Sequence, residues 1–247
     1  MSLFVILVFV MLTMLLAIWA SRASYVNELL VGNDADYQRA FAAAHALIQD
    51  AELDIEGATS DGTLCEPDPG DTDICRQATP EKIPKDDQEL AALLDHLGAL
   101  ASEAPRCRNG LCLKRADRAT NKDKQDFWNN NDADAGITLA QMTGTHEDKS
   151  PVGARFGQYT GARPGSDDEP ANPLLRERSD GKGGWYWIEV LPYVDKLGAE
   201  VIVGSPQYLE INQKPSVVYR ITALVYGRKP NTRVVLQQTY AQQKFKN

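Results

Sequence analysis

Residues 2–56 read SLFVILVFVMLTMLLAIWASRASYVNELLVGNDADYQRAFAAAHALIQDAELDIE, two helical codes joined without a break. From Leu3 to Ala20 only Thr13 is polar, a run of 18 residues. At about 1.5 Å per residue such a helix extends about 27 Å, enough to cross a thin hydrocarbon layer. A cleaved secretory signal carries a basic region, a shorter apolar core and a small-x-small exit. Here no basic residue precedes the core, and Ala20-Ser21-Arg22-Ala23 leads into more helix, so the run reads as a retained anchor. A core helix of a soluble protein is the plainer alternative.

Beyond Arg22 the code changes. Val26, Leu30, Tyr37, Phe41, Ala44, Ile48, Ala51 and Ile55 recur at steps of three, four or seven, the period of an amphipathic helix. The opposite face carries Asn27, Asp34, Asp36, Gln38, Arg39, Gln49, Asp50, Glu52 and Asp54. Gly32-Asn33 is the one interruption, and glycine inside a helix costs about 1 kcal/mol against alanine. With no proline before Pro67, the pattern predicts one helix from Leu3 to about Glu56, roughly 80 Å long. Half is suited to lipid or other apolar helices, and half to a single apolar partner surface. One continuous helix therefore serves as both span and spine of a head domain.

The rest of the chain supplies the partner surface. In residues 184–247, GWYWIEVLPYV, GAEVIVG, SVVYRITALVYG and TRVVLQQTYAQQ are β-branched, aromatic and separated by turn formers. Tyr219, Ile221, Ala223 and Val225 alternate with Arg220 and Thr222, which predicts a strand with one apolar face, and Gly227–Asn231 reads as a hairpin link. An antiparallel sheet with one apolar face needs a cover, and the stripe at residues 26–55 provides one. Phe41 and Ile48 are therefore expected to be buried against the strands at 216–226 and 232–240. Residues 58–183 between helix and sheet are rich in Gly, Pro, Asp and Asn, with one leucine-rich helix near 87–104 (Leu90, Leu93, Leu94, Leu97, Leu100). The expected fold is α+β, divided into 1–23 (transmembrane half of the spine), 24–57 (amphipathic half), 58–183 (enlarged irregular middle) and 184–247 (antiparallel sheet).

Cysteine usage points to an oxidising compartment. Cys65, Cys75, Cys107 and Cys112 form an even set behind an exported-looking anchor, as two disulfides would require. Three pairings are open. Cys65–Cys75 and Cys107–Cys112 are favoured because Pro67, Pro69 and Gly70 fold one segment back and Asn109-Gly110 turns the other. The rival is structural zinc, against which stand the absence of C-x₂-C spacing and of a histidine beside any cysteine. Arg22 lies just after the span and alone would hold that side in the cytoplasm. The cysteines argue the reverse and place the C-terminal domain of this single-pass chain outside it.

The chemistry of catalysis is not visible. His45, His96 and His146 sit in separate segments and read as solvated surface groups, and no G-x-S-x-G, H-E-x-x-H or phosphate-binding loop occurs. No catalytic residue and no cofactor is expected. Calcium is the one ligand with candidates, Asp68, Asp71 and Asp73 in EPDPGDTD and Asn130, Asp132 and Asp134 in NNNDADAG. Counted from Asn130, the sixth and twelfth positions are Ala135 and Gln141 where an EF-hand needs Gly and Glu, so this is not that loop. The net charge of −8 argues against nucleic acid. It is also split: residues 176–247 carry 11 Lys+Arg against 6 Asp+Glu, and the first 175 carry 15 against 28. Such a split can orient docking.

The pattern LLxxxxSRxxxxNELLxGNxxDYxRAFxAAxALIxxAExDI, spelled by Leu15 through Ile55, resembles the N-terminal region of PilX-type minor pilins of type IV pili, and VVYRITALVYGRKPNTRVVLQQTYAQQ resembles their closing strands. The two stretches cover 68 residues; the middle matches no named pattern. The family's GN-x-x-D-x-x-x-A-F falls on Gly32, Asn33, Asp36, Ala40 and Phe41. Position 5 is Val5, where major pilins have a glutamate, and no leader is visible. The resemblance implies packing roles for Leu15, Leu16, Val26, Leu30, Phe41 and Ile48, with Gly32 and Asn33 at the junction. It also implies a priming or tip complex with other minor pilins (PilV-, PilW-, PilE- and FimU-like), the major pilin and a PilY-type tip adhesin. Two readings compete: a membrane-tethered periplasmic binding or enzyme domain, and the large tip pseudopilin of type II secretion.

Overall fold

A computed structural model describes residues 2–66, 74–76, 81–100, 105–115, 126–165, 172–179, 181–192 and 217–242. The expected helix is there in one piece: α1 runs Ser2–Glu56, 55 residues straight through Gly32-Asn33. It stops because Gly57 takes a left-handed φ of 67°, open to glycine at no steric cost. Ala58 N–H then donates to the Leu53 carbonyl at 2.9 Å and Gly57 N–H to the Asp54 carbonyl at 3.2 Å, satisfying carbonyls the helix end would leave bare.

Helix α2 spans Asp87–Ala99, with Asp86 as N-cap accepting from Glu89 N–H and Leu90, Leu93 and Leu97 buried. Residues 101–104, the end of the expected helix, lie outside the described residues, as does the expected strand at 198–204. Strands β1 (Cys107–Arg108) and β2 (Leu111–Leu113) form a small hairpin in the middle segment. After a 3₁₀ turn at Phe127–Asn129 come two short helices, α3 (Leu139–Thr143) and α4 (Pro173–Arg176). The long strands are β3 (Gly184–Pro192), β4 (Val217–Tyr226) and β5 (Arg233–Tyr240). All five join one sheet in the order β1-β2-β3-β4-β5. Only β2–β3 is parallel; β1–β2, β3–β4 and β4–β5 are antiparallel. The fold is α+β and pilin-like.

Helix α1 lies across one face of the sheet. Ala40, Ala43, Ala44, Leu47, Ile48, Ala51 and Ile55 meet Tyr186, Ile188, Val190, Tyr219, Ile221, Ala223 and Val225, joined by the α2 leucines. The expectation of a single apolar face needs correcting. Trp185, Trp187 and Leu224 point to the other face, where Phe127, Ile137, Leu139, Met142 and Val152 cover them in a second cluster. Two tryptophans require a cover of their own, and the irregular middle provides it.

Phe41 is a second correction. It is 40% exposed and stacks on Tyr37 at 6.5 Å, whereas Ile48 is 4% exposed. The buried stripe is centred on the alanines, rotated by roughly 50° from the line drawn through the largest apolar side chains. Small residues let helix and sheet backbones approach closely, so Ala40, Ala43, Ala44 and Ala51 take the contact and Phe41 is left at its margin. The rotation also carries Asp36, Asp50 and Asp54, assigned to the polar face, into burial at 2%, 2% and 4% exposure.

Candidate assembly surface

Two features define the surface this fold offers: a bare apolar half-helix, and the polar contacts that fix it to the head. The lower half of α1 is long and apolar enough to cross a membrane, and none of its most apolar 18-residue window is buried. Leu15, Leu16, Val26 and Leu30 are 64, 66, 50 and 61% exposed. Thr13 donates to the Val10 carbonyl at 2.9 Å, so its hydroxyl is satisfied inside the helix, as an apolar surrounding demands. The exposed apolar character continues past the membrane-length run through Tyr25, Val26, Leu29, Leu30 and Val31.

The head begins at Asp36. Its carboxylate accepts from the backbone N–H groups of Arg228 (2.9 Å) and Lys229 (3.0 Å), in the turn between β4 and β5. Burial works against the charge, yet these two N–H groups and the Thr232 hydroxyl hold the carboxyl below its ordinary pKa. One turn earlier Asn33 accepts from Lys229 Nζ at 2.9 Å. Gly32 keeps that space open, since a Cβ there would stand 2.7 Å from Lys229 Nζ. The spacing Gly32, Asn33, Asp36 thus places a gap, an acceptor and a carboxylate along one line of the helix, all directed at one turn.

The upper half of α1 is fixed by two more aspartates. Asp50 accepts from Gly157 N–H at 2.7 Å and from the Thr160 hydroxyl. Burial raises its pKa to about 6, against the lowering effect of those bonds. Asp54 takes a two-pronged ion pair from Arg76, both contacts 2.7 Å, and a bond from Tyr186 Oη at 2.9 Å. Burial disfavours the Arg76 charge, but the Asp54 carboxylate outweighs it, and the guanidinium lies 3.7 Å over the Tyr159 ring. The Cys65–Cys75 disulfide immediately precedes Arg76 and places it. At the edge of the sheet, Gln238 and Tyr240 of β5 donate to Glu52 and Glu56.

The second disulfide, Cys107–Cys112, joins directly opposed residues of β1 and β2. Behind that hairpin Glu189 is buried between Arg220 (2.8 and 2.9 Å) and the Arg115 backbone N–H (3.0 Å). Asp68, Asp71 and Asp73 lie outside the described residues. Asn130 and Asp132 each accept a backbone N–H two residues on, at 3.0 and 2.9 Å, which shapes their loop together with Asp134. Among the described residues no group of three His, Cys, Asp or Glu side chains is placed to hold a metal. His45 is exposed, His96 meets Glu81 at 3.0 Å, and His146 Nε2 lies 2.7 Å from the Cys107 carbonyl.

Sequence reasoning located the helix but missed Asp50, Asp54 and Arg76. A signal existed for the aspartates. Asp36, Ala40, Ala43, Leu47, Asp50 and Asp54 follow one another at alternating steps of four and three, so all six share one line of the helix.

A family profile described as type IV pilus assembly protein PilX C-term matches residues 108–242, more than half of the chain. It begins well inside the middle segment that the resemblance had left unmatched. No curated protein and no solved structure gives a significant match. The apolar half of α1 fits the single-pass membrane anchor of a pilin. On its matching sequence and its spine-on-sheet fold, the chain belongs to the PilX family of type IV pilus assembly proteins.

Proposed function

We infer that this protein is a minor pilin of a priming or tip complex, held in the inner membrane by residues 1–23 with its head in the periplasm. Its companions there are other minor pilins, the major pilin and a tip adhesin of the PilY type. Family membership itself carries involvement in type IV pilus assembly, in a family that is structural rather than catalytic. The observation that supports the finer reading is the continuity of α1. An exposed apolar half-helix runs without a hinge into a half bolted to the sheet. A tethered enzyme works best on a flexible linker, and none lies between residues 21 and 57. Heterologous contacts along such a spine build an open filament. The size of the middle segment, residues 58–183, supports a terminal position, where nothing needs to stack on it.

The test replaces Leu3–Ala20 with a generic membrane-spanning helix, expressed at native level in a strain lacking the gene. A bilayer asks only for length and low polarity, whereas helix packing within it depends on shape and small residues such as Thr13, Ala17 and Ala20. The chimaera is expected to insert and fold yet fail to restore pili or co-purify with minor pilins. Normal piliation would reduce the segment to a tether and overturn the reading.

A further inference from the structure

The split of charge along the sequence has a counterpart in space. A cleft of about 860 Å³ opens between α4, residues 181–183 and the β4–β5 turn. Lys182, Arg228, Lys229 and Arg233 line it against one carboxylate, Glu177. That carboxylate already accepts from Ser179 N–H (2.9 Å) and Oγ (2.6 Å). Lys229 Nζ bonds Asn33 and Arg233 bonds Asn129, both neutral acceptors. Asp36, behind the turn, spends its oxygens on the backbone N–H groups of Arg228 and Lys229. None of the four cations has an ion-pair partner among the described residues. Lys229 lies close enough to Asp36, and Lys182 to Glu177, to favour those carboxylates' charge, yet four cations against two carboxylates leave the cleft with an excess of positive charge that suits an anionic occupant.

The position of the cleft says what comes near. The turn is clamped to α1 at Asn33 and Asp36, the lower end of the head. Between Ala20 and Asp36 lie 15 residues without one buried side chain, about 22 Å of bare helix. Lipid headgroups extend only about 5–8 Å beyond the hydrocarbon, and charge is screened over about 8–10 Å, so the cleft stands clear of a membrane surface. The bare stretch carries Val26, Leu29, Leu30 and Val31 exposed. Val26 and Leu29 lie two turns below Asn33 and Asp36 on the same side of the helix, so a subunit packed on them comes up beneath the cations.

We propose that this cleft and the bare helix beneath it form one docking surface for a neighbouring pilin subunit that presents an apolar patch capped by carboxylates. The proposal rests on the minor-pilin reading and names the chemistry of its partner. Apolar contact supplies area, and the cations fix orientation and speed the encounter.

The experiment uses the full chain in cells that make the pilus. A photo-crosslinking residue is placed at Pro230, in the cleft, or at Val26, on the bare helix, each with and without Lys182→Glu plus Arg228→Glu. Lys182 and Arg228 are exposed, so their reversal leaves the fold intact, checked by protease resistance. Expected is a crosslink from Pro230 to a pilus subunit at a site holding two or more carboxylates. It should fall at least ten-fold on reversal and return when those carboxylates become lysines. Crosslinks to lipid alone, to a site without acids, or unaffected by reversal would overturn the proposal while the Val26 crosslink to a pilus subunit leaves the minor-pilin reading standing. Loss of both crosslinks in the unreversed chain would bring down that reading as well.

Discussion

Removing the Asp36 carboxylate tests the joint between spine and head. In Asp36→Ala the N–H groups of Arg228 and Lys229 lose acceptors at 2.9 and 3.0 Å, beneath a side chain only 2% exposed. A buried donor left unmade costs about 1–3 kcal/mol, and here two are released. The turn is partly open to water, so the lower end applies, about 2–4 kcal/mol in all. Alanine returns up to about 0.7 kcal/mol of helix propensity. The net expectation is a loss of about 1.5–3 kcal/mol. Asp36→Asn keeps an acceptor and should fall between. Asp34→Ala, two residues away and exposed, is the control and should lie within about 0.5 kcal/mol of the parent. Denaturant unfolding of the full chain in detergent micelles, followed by tryptophan fluorescence, reads the head through buried Trp185 and Trp187. The pH dependence adds a sign. A carboxyl held below its ordinary pKa stabilises the fold above the unfolded value near 4 and ceases to as pH falls through the folded one. The deficit of the alanine variant should therefore shrink in acid. If Asp36→Ala unfolds with Asp34→Ala, the turn is not held by this carboxylate and the reasoning fails.

Asp50 predicts the opposite sign: with its pKa raised to about 6, its contribution is fullest below the unfolded value near 4 and is lost as pH rises through 6. Asp50→Asn should gain on the parent by up to about 3 kcal/mol between pH 4 and 8, and a constant difference across that range would refute it. Leu47→Ala, at a fully buried site, should cost about 2–5 kcal/mol. Phe41→Ala should cost about 1 kcal/mol or less, and equal losses for the two would return Phe41 to the core. Thiol titration of the denatured, unreduced chain should find no free cysteine, and four would break both disulfides.

What the sequence made legible followed from period and punctuation. The length of α1, its stop at Gly57, the leucine face of α2 and the β4–β5 hairpin each rest on local chemistry that neighbours reinforce. The azimuth of the spine was not legible by the same route. Ranking side chains by size selects Phe41, whereas close helix-on-sheet packing selects alanine, a residue whose helical preference hides its burial. The buried aspartates were misplaced for a related reason. A carboxylate reads as solvent-facing until its donors are known, and those of Asp50, Gly157 and Thr160, are more than 100 residues away. The second face of the sheet was obscured because Phe127, Ile137, Met142 and Val152 are scattered over a stretch rich in Asn, Asp, Gly and Thr, with no sustained period to collect them.

The polar contacts have a consequence for assembly that the apolar ones alone would not. An alanine stripe on a sheet is smooth, and sliding by one turn or rotating by one residue exchanges similar contacts. Asp36 at the bottom of the head and Asp50 and Asp54 near its top each accept hydrogen bonds from fixed donors. Shifting the helix would strand three buried carboxylates together, which is far more costly than trading one methyl contact for another. Register and azimuth are therefore set at both ends. Because α1 has no hinge, that setting extends down to the bare half, and the side chains of Val26, Leu29 and Leu30 keep a defined direction relative to the cationic cleft. A partner can then bind both at once without first ordering a linker, an entropic cost that a flexible tether would impose on every encounter. Loosening the joint at Asp36 should for that reason weaken assembly more than the loss of any single exposed apolar side chain below it.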